Sequence, residues 1–377
     1  RPRVLVTTPF HLKTLLESLD PYSSYLDARE WDSYEASFGD SYAGVGVRLA
    51  IDAELRLPRV EYVLFDTSAA RAGIVRGDHI AAINGQSLYD RTLEDIIPML
   101  LGPEGTLVEL QLQRDLAPAP ITLLLTRTRV EQPSVRGRRW SEAGVADYRL
   151  DPEGGIGYVR VIHFGRDTTR RVEQALLALT EQGTEALVLD LRDCGGGMAD
   201  AAIGIADLLL DDGIIVTTRE RERTTVVRAT PGIAWRGRIA LLVNRNTASS
   251  AEILGGALVD HGRAVVVGER SFGKGRIQHK IALGPGQGGL VLSTGTFQRP
   301  SGTTIDRHDA AGPDDYGLAP LPEHWISLDD AEARAWSEAM QRLDGRFVIS
   351  PADQVFADPV LDHARAWLQS SPPPTRP

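Results

Sequence analysis

Cysteine is almost missing from this chain: Cys194 is the only one. No internal disulfide can form, and the cysteine clusters of zinc and iron–sulfur sites are excluded. Long apolar runs are missing too, since nothing approaches the roughly 18 consecutive apolar residues of a membrane-spanning helix. The residues after Arg1 lack the apolar centre of a signal peptide, so any leader or anchor is expected to lie outside this sequence. Positive charge is in deficit, with 41 Lys plus Arg against 51 Asp plus Glu and a formal charge of −10. That balance argues against a protein held to nucleic acid by phosphate contacts and favours a peptide or small-molecule partner.

What remains is the composition of an ordinary globular protein, 42% hydrophobic and 24% charged over 377 residues. At roughly 150 residues per domain, two to three domains are expected. Apolar residues at helical spacing, Phe10, Leu12, Leu15, Leu16 and Leu19, predict a first helix that stops at Asp20-Pro21, and 28–38 predicts a second. From Tyr42 the texture changes to short β-rich segments at 44–51, 60–65, 79–83, 107–113 and 121–126, with a helix over 92–101. This predicts a small, partly open β domain. Residues 129–152 carry charge, Pro and Gly without clear period and read as a linker.

After Gly155 strands and helices alternate: strands at 156–162, 186–191, 214–217, 239–243 and 264–268, helices at 168–181, 199–210 and 249–260. Strands such as Ala-Leu-Val-Leu-Asp-Leu are apolar continuously, as strands covered on both faces are, so this part is an α/β domain. Two further helices are predicted at 329–343 and 359–368, ahead of a Pro-rich tail from Ser371 to Pro377 that reads as disordered. The domain boundaries expected are 1–40, 41–128, a linker at 129–154, a core at 155–325, a helical segment at 326–370 and the tail.

In open α/β sheets, sites lie beyond the carboxyl ends of strands. After Leu191 comes Arg192-Asp193-Cys194-Gly195-Gly196-Gly197, whose glycines leave backbone N–H groups free to approach a ligand. It is not a phosphate loop, because neither Gly-Lys-Ser nor Gly-x-Gly-x-x-Gly is present. After Val243 comes Thr247-Ala248-Ser249-Ser250-Ala251-Glu252 and then a helix. Ser249-x-x-Glu252 reads as a capping box, which accounts for a serine here without any catalysis. A hydroxyl at a helix N-terminus also sits where free N–H groups and the helix dipole can stabilise an oxyanion. After Gly268 comes Ser271-Phe272-Gly273-Lys274-Gly275-Arg276-Ile277-Gln278. A lysine between glycines is usually a solvated cation, but packed against apolar groups it loses its proton readily and can accept one from serine. Among eight scattered histidines, only His261 and His279 are near these loops, as minor candidates for a general base.

These residues together resemble the active-site signature of the C-terminal processing peptidases, or tail-specific proteases. In that family the nucleophilic serine precedes a glutamate by three positions and a base lysine by twenty-five; both counts select Ser249 with Lys274. Gln278 matches the glutamine that orients the lysine. Leu19-Asp20-Pro21-Tyr22-Ser23-Ser24-Tyr25-Leu26 resembles the family's Leu-Asp-Pro-His-Ser-Ser-Tyr-Leu, and Ala69 to Ile80 with Ile83-Asn84-Gly85 resembles a PDZ core. Departures exist. Asn-Asn-Pro-Gly-Gly becomes Asp193 to Gly197, and the serine motif places a second hydroxyl, Ser250, beside the first, so a slipped register would make Ser250 the nucleophile. The family's Gly-Ile-x-Pro-Asp close is only loosely echoed by 317–321.

The resemblance implies a multidomain α/β fold: a helical N-terminal segment, a PDZ-like domain, and a crotonase- or ClpP-like peptidase core. It implies a serine endopeptidase that cleaves protein or peptide substrates near their C-termini. A lysine starting near pKa 10.4 cannot accept a serine proton near pH 7 until burial disfavours the ammonium. Ser249 is then the nucleophile and Lys274 the base. The oxyanion falls to the N–H groups of Ser250 and of Gly196 or Gly197. No metal or cofactor is required. The loop Gly44-Val45-Gly46-Val47 resembles one whose N–H groups hold a C-terminal carboxylate. The expected partners are free peptide tails and not nucleic acid, with room for peripheral membrane association through a missing leader and for a homo-oligomer. The expected location is extracytoplasmic: periplasmic, lumenal or secreted. Two rivals stay open. One is a non-catalytic PDZ scaffold with a degenerate protease domain, which the intact Ser249, Lys274 and Gln278 disfavour. The other is a crotonase-like acyl-thioester enzyme, which the PDZ segment disfavours.

Overall fold

A computed structural model of the chain describes residues 9–344 and 357–370, apart from 37, 40, 65, 115–118, 132–133, 141–145 and 151–154. The expected tail from Ser371 lies outside the described residues. Four parallel strands, Ile156–Val161, Ala186–Asp190, Arg238–Val243 and Ala264–Gly268, lie in that order in the central sheet. The short strand Val135–Arg136 joins antiparallel beside Ile156–Val161.

Alternation within each strand explains the unbroken apolar runs. Val159, Leu187, Leu189, Ile239, Leu241 and Val243 point to one face, where they meet the helices Thr168–Glu181, Ala199–Leu209 and Ser250–Asp260. Ile156, Tyr158, Val188, Ala240, Leu242 and Val267 point to the other, where the helix Pro359–Ser370 covers them with Val360, Leu361, Ala364 and Leu368. The C-terminal helix is therefore a layer of the core. Both faces are dry, and the loops at the carboxyl ends of the strands are left to carry chemistry.

A second sheet lies beside the first. Arg276–Ala282 and Gly289–Gln298 form a hairpin. The long strand of that hairpin also pairs with Ile214–Glu220 and, through Ser24–Leu26, with the N-terminal segment. The small β domain is a separate sheet, ordered Val47–Asp52, Leu57–Val63, His79–Ile83, Leu107–Gln113, Ile121–Thr126, around its own core with the helix Leu93–Leu100. The segment read as a linker is more ordered at its start than its composition implies. Thr128–Glu131 pairs with Ser41–Gly44, and Val135–Arg136 enters the central sheet. Two neighbouring strands thus root the β domain on the core.

Candidate active site

The strand Arg238–Val243 runs into the helix Ser250–Asp260 through a sharp turn, and Ser249 is the residue at the bend. Its backbone, φ 58° and ψ −118°, is not the extended conformation of an ordinary N-cap. A side chain held in the left-handed region is strained, and a serine on such a strand-to-helix turn has its hydroxyl pushed out of the chain path, as in a nucleophile elbow. The Glu252 side chain closes the expected capping box from its end, accepting the Ser249 N–H at 2.8 Å.

Glu252 does more than cap. It is fully buried, and the same oxygen, Oε2, accepts the N–H of Lys274 at 2.8 Å. Its other oxygen accepts the Gly273 N–H at 2.7 Å and the Ser271 hydroxyl at 2.5 Å. Burial pushes the Glu252 carboxyl up, and these four donors offset part of that rise. The Lys274 loop is fixed from its far side by buried Asp306, which accepts the Gly275 N–H at 3.1 Å and pairs with Arg276 at 3.0 Å. Lys274 itself is half-buried. Burial pushes its amine below the ordinary lysine value, against the raising charges of Glu252 and Asp20.

On the other side of Ser249 lies the glycine loop. Gly196 has φ 102°, and a Cβ on it would stand 2.8 Å from the Ser249 Cβ and 3.1 Å from the Ser250 nitrogen. Only glycine lets the loop come this close to the elbow. Gly197 is held by the Ser250 hydroxyl, which donates to its carbonyl at 2.9 Å. The second serine is thus committed to the loop and 2% exposed, whereas Ser249 is partly open. Cys194 is buried beneath, and burial pushes its thiol up to about 12.

Ser249, Ser250, Gly197 and Gln278 line one cavity of 880 Å³. Lys274 is not among the residues of its wall. The Gln278 amide donates to the Tyr22 carbonyl at 2.8 Å, which ties this side chain to the N-terminal turn. His261 is bound to the Ile214 carbonyl at 2.7 Å at the far end of the helix, and His279 pairs with Glu220 at 3.0 Å. Both are already engaged. In the β domain, Val45 puts its side chain in the core, and the carbonyls of Val45 and Gly46 accept from Ala69 and Leu64, which fixes the loop. Gly46 has φ 84°, and a Cβ there would run into Thr67. The loop from Gly44 to Val47 is not on the wall of the Ser249 cavity.

One buried cluster has no counterpart in the sequence reading. Arg192, 2% exposed, donates to Asp190 at 2.6 Å and to Asp358 at 2.8 and 2.9 Å, and its guanidinium lies 4.3 Å from the Trp336 ring centroid. Tyr158 donates to Asp190 at 2.8 Å. This cluster anchors the start of the glycine loop to the two C-terminal helices. A buried charge rarely stands without a partner, so Arg192 within a core strand's end could have signalled it, but nothing in the sequence names Asp358 as that partner.

The model of peptidase family S41 matches residues 155–315, and a PDZ domain model matches 59–114. A carboxy-terminal-processing protease of Bartonella bacilliformis is 35% identical over 341 residues, covering 88% of this chain and 75% of that protein. The chain belongs to the carboxy-terminal-processing peptidases of family S41. A chloroplastic carboxyl-terminal-processing peptidase of Arabidopsis thaliana is 34% identical over 304 residues, 78% of this chain and 58% of that protein. A solved structure from Bacteroides fragilis assigned to the S41 proteases shares the fold, with a TM-score of 0.57 over 98% of this chain and 91% of that one at 16% identity. As a carboxy-terminal-processing peptidase, the chain is a serine-type hydrolase of protein or peptide substrates that carries a PDZ domain.

Proposed function

We propose that Ser249 and Lys274 form a Ser-Lys dyad that cleaves polypeptides near their C-termini. The observation that carries this reading is the shared Glu252 oxygen, which fixes the backbones of both residues at 2.8 Å. Neutral Lys274 takes the Ser249 proton as Oγ attacks the scissile carbonyl carbon. The oxyanion is met by the N–H of Ser250, at the first turn of a helix, and by a glycine N–H from Gly196 or Gly197. The Lys274 ammonium gives its proton to the leaving amine, and the acyl-enzyme is hydrolysed by water with Lys274 again as base. A lysine can do this because its burial disfavours the charged form.

The strand Arg276–Ala282, which among the described residues pairs with a neighbour on one edge only and lines the cavity with Ile277, Gln278 and His279, offers its other edge to an extended peptide. The Gly44 to Val47 loop recognises the substrate's terminal carboxylate through backbone N–H groups. The compartment is read as extracytoplasmic, as the family resemblance implies.

Labelling with a serine-reactive fluorophosphonate, followed by peptide mapping, tests the dyad. The label is expected on Ser249, absent in Ser249→Ala and slowed at least about 100-fold in Lys274→Ala. A label on Ser250, or an unchanged rate in Lys274→Ala, overturns the assignment.

A further inference from the structure

The turn at Asp20 to Ser23 is far from the catalytic loops in sequence and packs against them in space. Asp20 accepts the N–H groups of Tyr22 and Ser23 at 2.8 and 2.9 Å, the Ser23 hydroxyl at 2.6 Å and the Ser293 hydroxyl at 2.9 Å. Ser23 in turn accepts the Ser293 N–H at 3.0 Å, and Gln278 holds the Tyr22 carbonyl. These six bonds hold the turn, and two of them fix the Tyr22 backbone at its N–H and its carbonyl. Its ring lies over the Lys274 amine, with Nζ 5.3 Å from the centroid. This is the position where the Leu-Asp-Pro-His-Ser-Ser-Tyr-Leu pattern carries histidine, so a phenol ring, which stays neutral where an imidazole can charge, is a feature of this chain.

We propose that the ring of Tyr22 positions Lys274 and stabilises the ammonium that Lys274 becomes on taking the Ser249 proton. The inference deepens the Ser-Lys reading and rests on it. An aromatic wall excludes water as a leucine would, and it also presents a negative π face to a cation. The first property favours neutral Lys274 and the second favours charged Lys274. During turnover the charged form arises between the attack of Oγ and the protonation of the leaving amine, and there the face acts; at low pH the same face holds the resting ammonium, which sets the acid limb of the rate. The other charges facing Lys274 are Glu252 from the nucleophile helix and Asp20 from the same turn. Around Tyr22 stand Asp306, Arg307 and Arg276, with His308 edge-on at 6.0 Å. The Tyr22 hydroxyl is buried beside the Arg307 guanidinium, on the rim of the ring and away from its face.

The test uses the full chain, an internally quenched peptide ending in a free alanine carboxylate, and the rate of fluorophosphonate labelling, both followed from about pH 6 to 10. Tyr22→Leu keeps the dry wall and removes the π face. It should move the acid limb down by about half to one pH unit and lower the plateau kcat about 3- to 10-fold, with KM within about twofold. Tyr22→Phe should restore the limb. Fluorinated phenylalanines at position 22, which drain the face of charge with almost no change of shape, should lower the limb step by step with the number of fluorines. A limb that stays fixed across the fluorinated series, or a loss confined to KM, overturns the role of Tyr22 while leaving the dyad standing. A limb that survives Lys274→Ala overturns the dyad itself, and with it this inference.

Discussion

Arg192 and Asp358, 166 positions apart, meet as a two-bond pair with Nη1 to Oδ1 at 2.8 Å and Nη2 to Oδ2 at 2.9 Å, both residues 2% exposed. Arg192 opens the glycine loop, and Asp358 stands at the start of the helix Pro359–Ser370. The chain's C-terminal segment is thereby joined to the glycine loop that packs against Ser249.

Removing the Asp358 carboxylate leaves a buried guanidinium with one acidic partner where it had two. Asp358→Ala should cost about 3–5 kcal/mol in urea unfolding at pH 7. Burial alone would raise the Asp358 carboxyl, but Arg192 more than offsets this and holds it below the usual aspartate value. The contribution is therefore complete above the unfolded pKa of about 3.9 and is lost as pH falls through the depressed folded value. Wild type and Asp358→Ala should converge in stability toward low pH. A gap that is small at pH 7, or that persists unchanged in acid, contradicts the pair's role.

Glu252 accepts four donors with two oxygens. Glu252→Gln replaces one oxygen by an amide that must face N–H groups, so at least one buried bond is lost and the two loops part. Misplacement by an ångström can lower kcat by about 100-fold, and a loss of that size is expected with the far-ultraviolet circular dichroism unchanged. Turnover within threefold of wild type would show that the shared carboxylate is dispensable.

Ser250 donates to the Gly197 carbonyl and is closed to solvent. Ser250→Ala should lower stability by about 1 kcal/mol and slow hydrolysis without stopping it, because the loop loses a tie and keeps its N–H groups. Ser249→Ala should be inactive and fully folded. The reverse pattern in a steady-state assay would exchange the two serines.

Tail recognition is checked on the full-length Ser249→Ala chain by calorimetric titration. A peptide with a free apolar C-terminus should bind, and amidation of that terminus should weaken it at least about tenfold, since the Gly44 to Val47 loop would lose a charged acceptor. Equal affinity for acid and amide removes the carboxylate role of the loop.

The elements legible from sequence were those with a strong period or a continuous apolar run. The helix Thr168–Glu181 and the strands His79–Ile83, Leu107–Gln113 and Ala264–Gly268 have the limits that the pattern predicts. The hairpin of Arg276–Ala282 and Gly289–Gln298 was not legible. Its first strand is largely exposed and mixes Arg, Gln, His and Lys with two isoleucines, so the segment shows its catalytic motif and hides its sheet. The start of the supposed linker was misread because strand pairing, which composition does not encode, orders Thr128–Glu131. At the site, the strain at Ser249 and the reach of Glu252 to the Lys274 loop depend on contacts 22 residues apart. Sequence spacing names such residues and leaves their bonds unstated.

Because Ser249 and Lys274 hang from one carboxylate, they move as one body. A motion that admits a bulky polypeptide therefore has to spare that body and shift the wall across the cavity. There Lys280 spans from the base strand to Glu35 at 2.7 Å and over the Phe38 ring at 4.3 Å. Half-exposed ion pairs of this kind are worth about 0–1 kcal/mol, whereas the Glu252 bonds are buried and close to the helix core. The wall across the cavity is thus held by weaker contacts than those that set the Ser249 and Lys274 backbones.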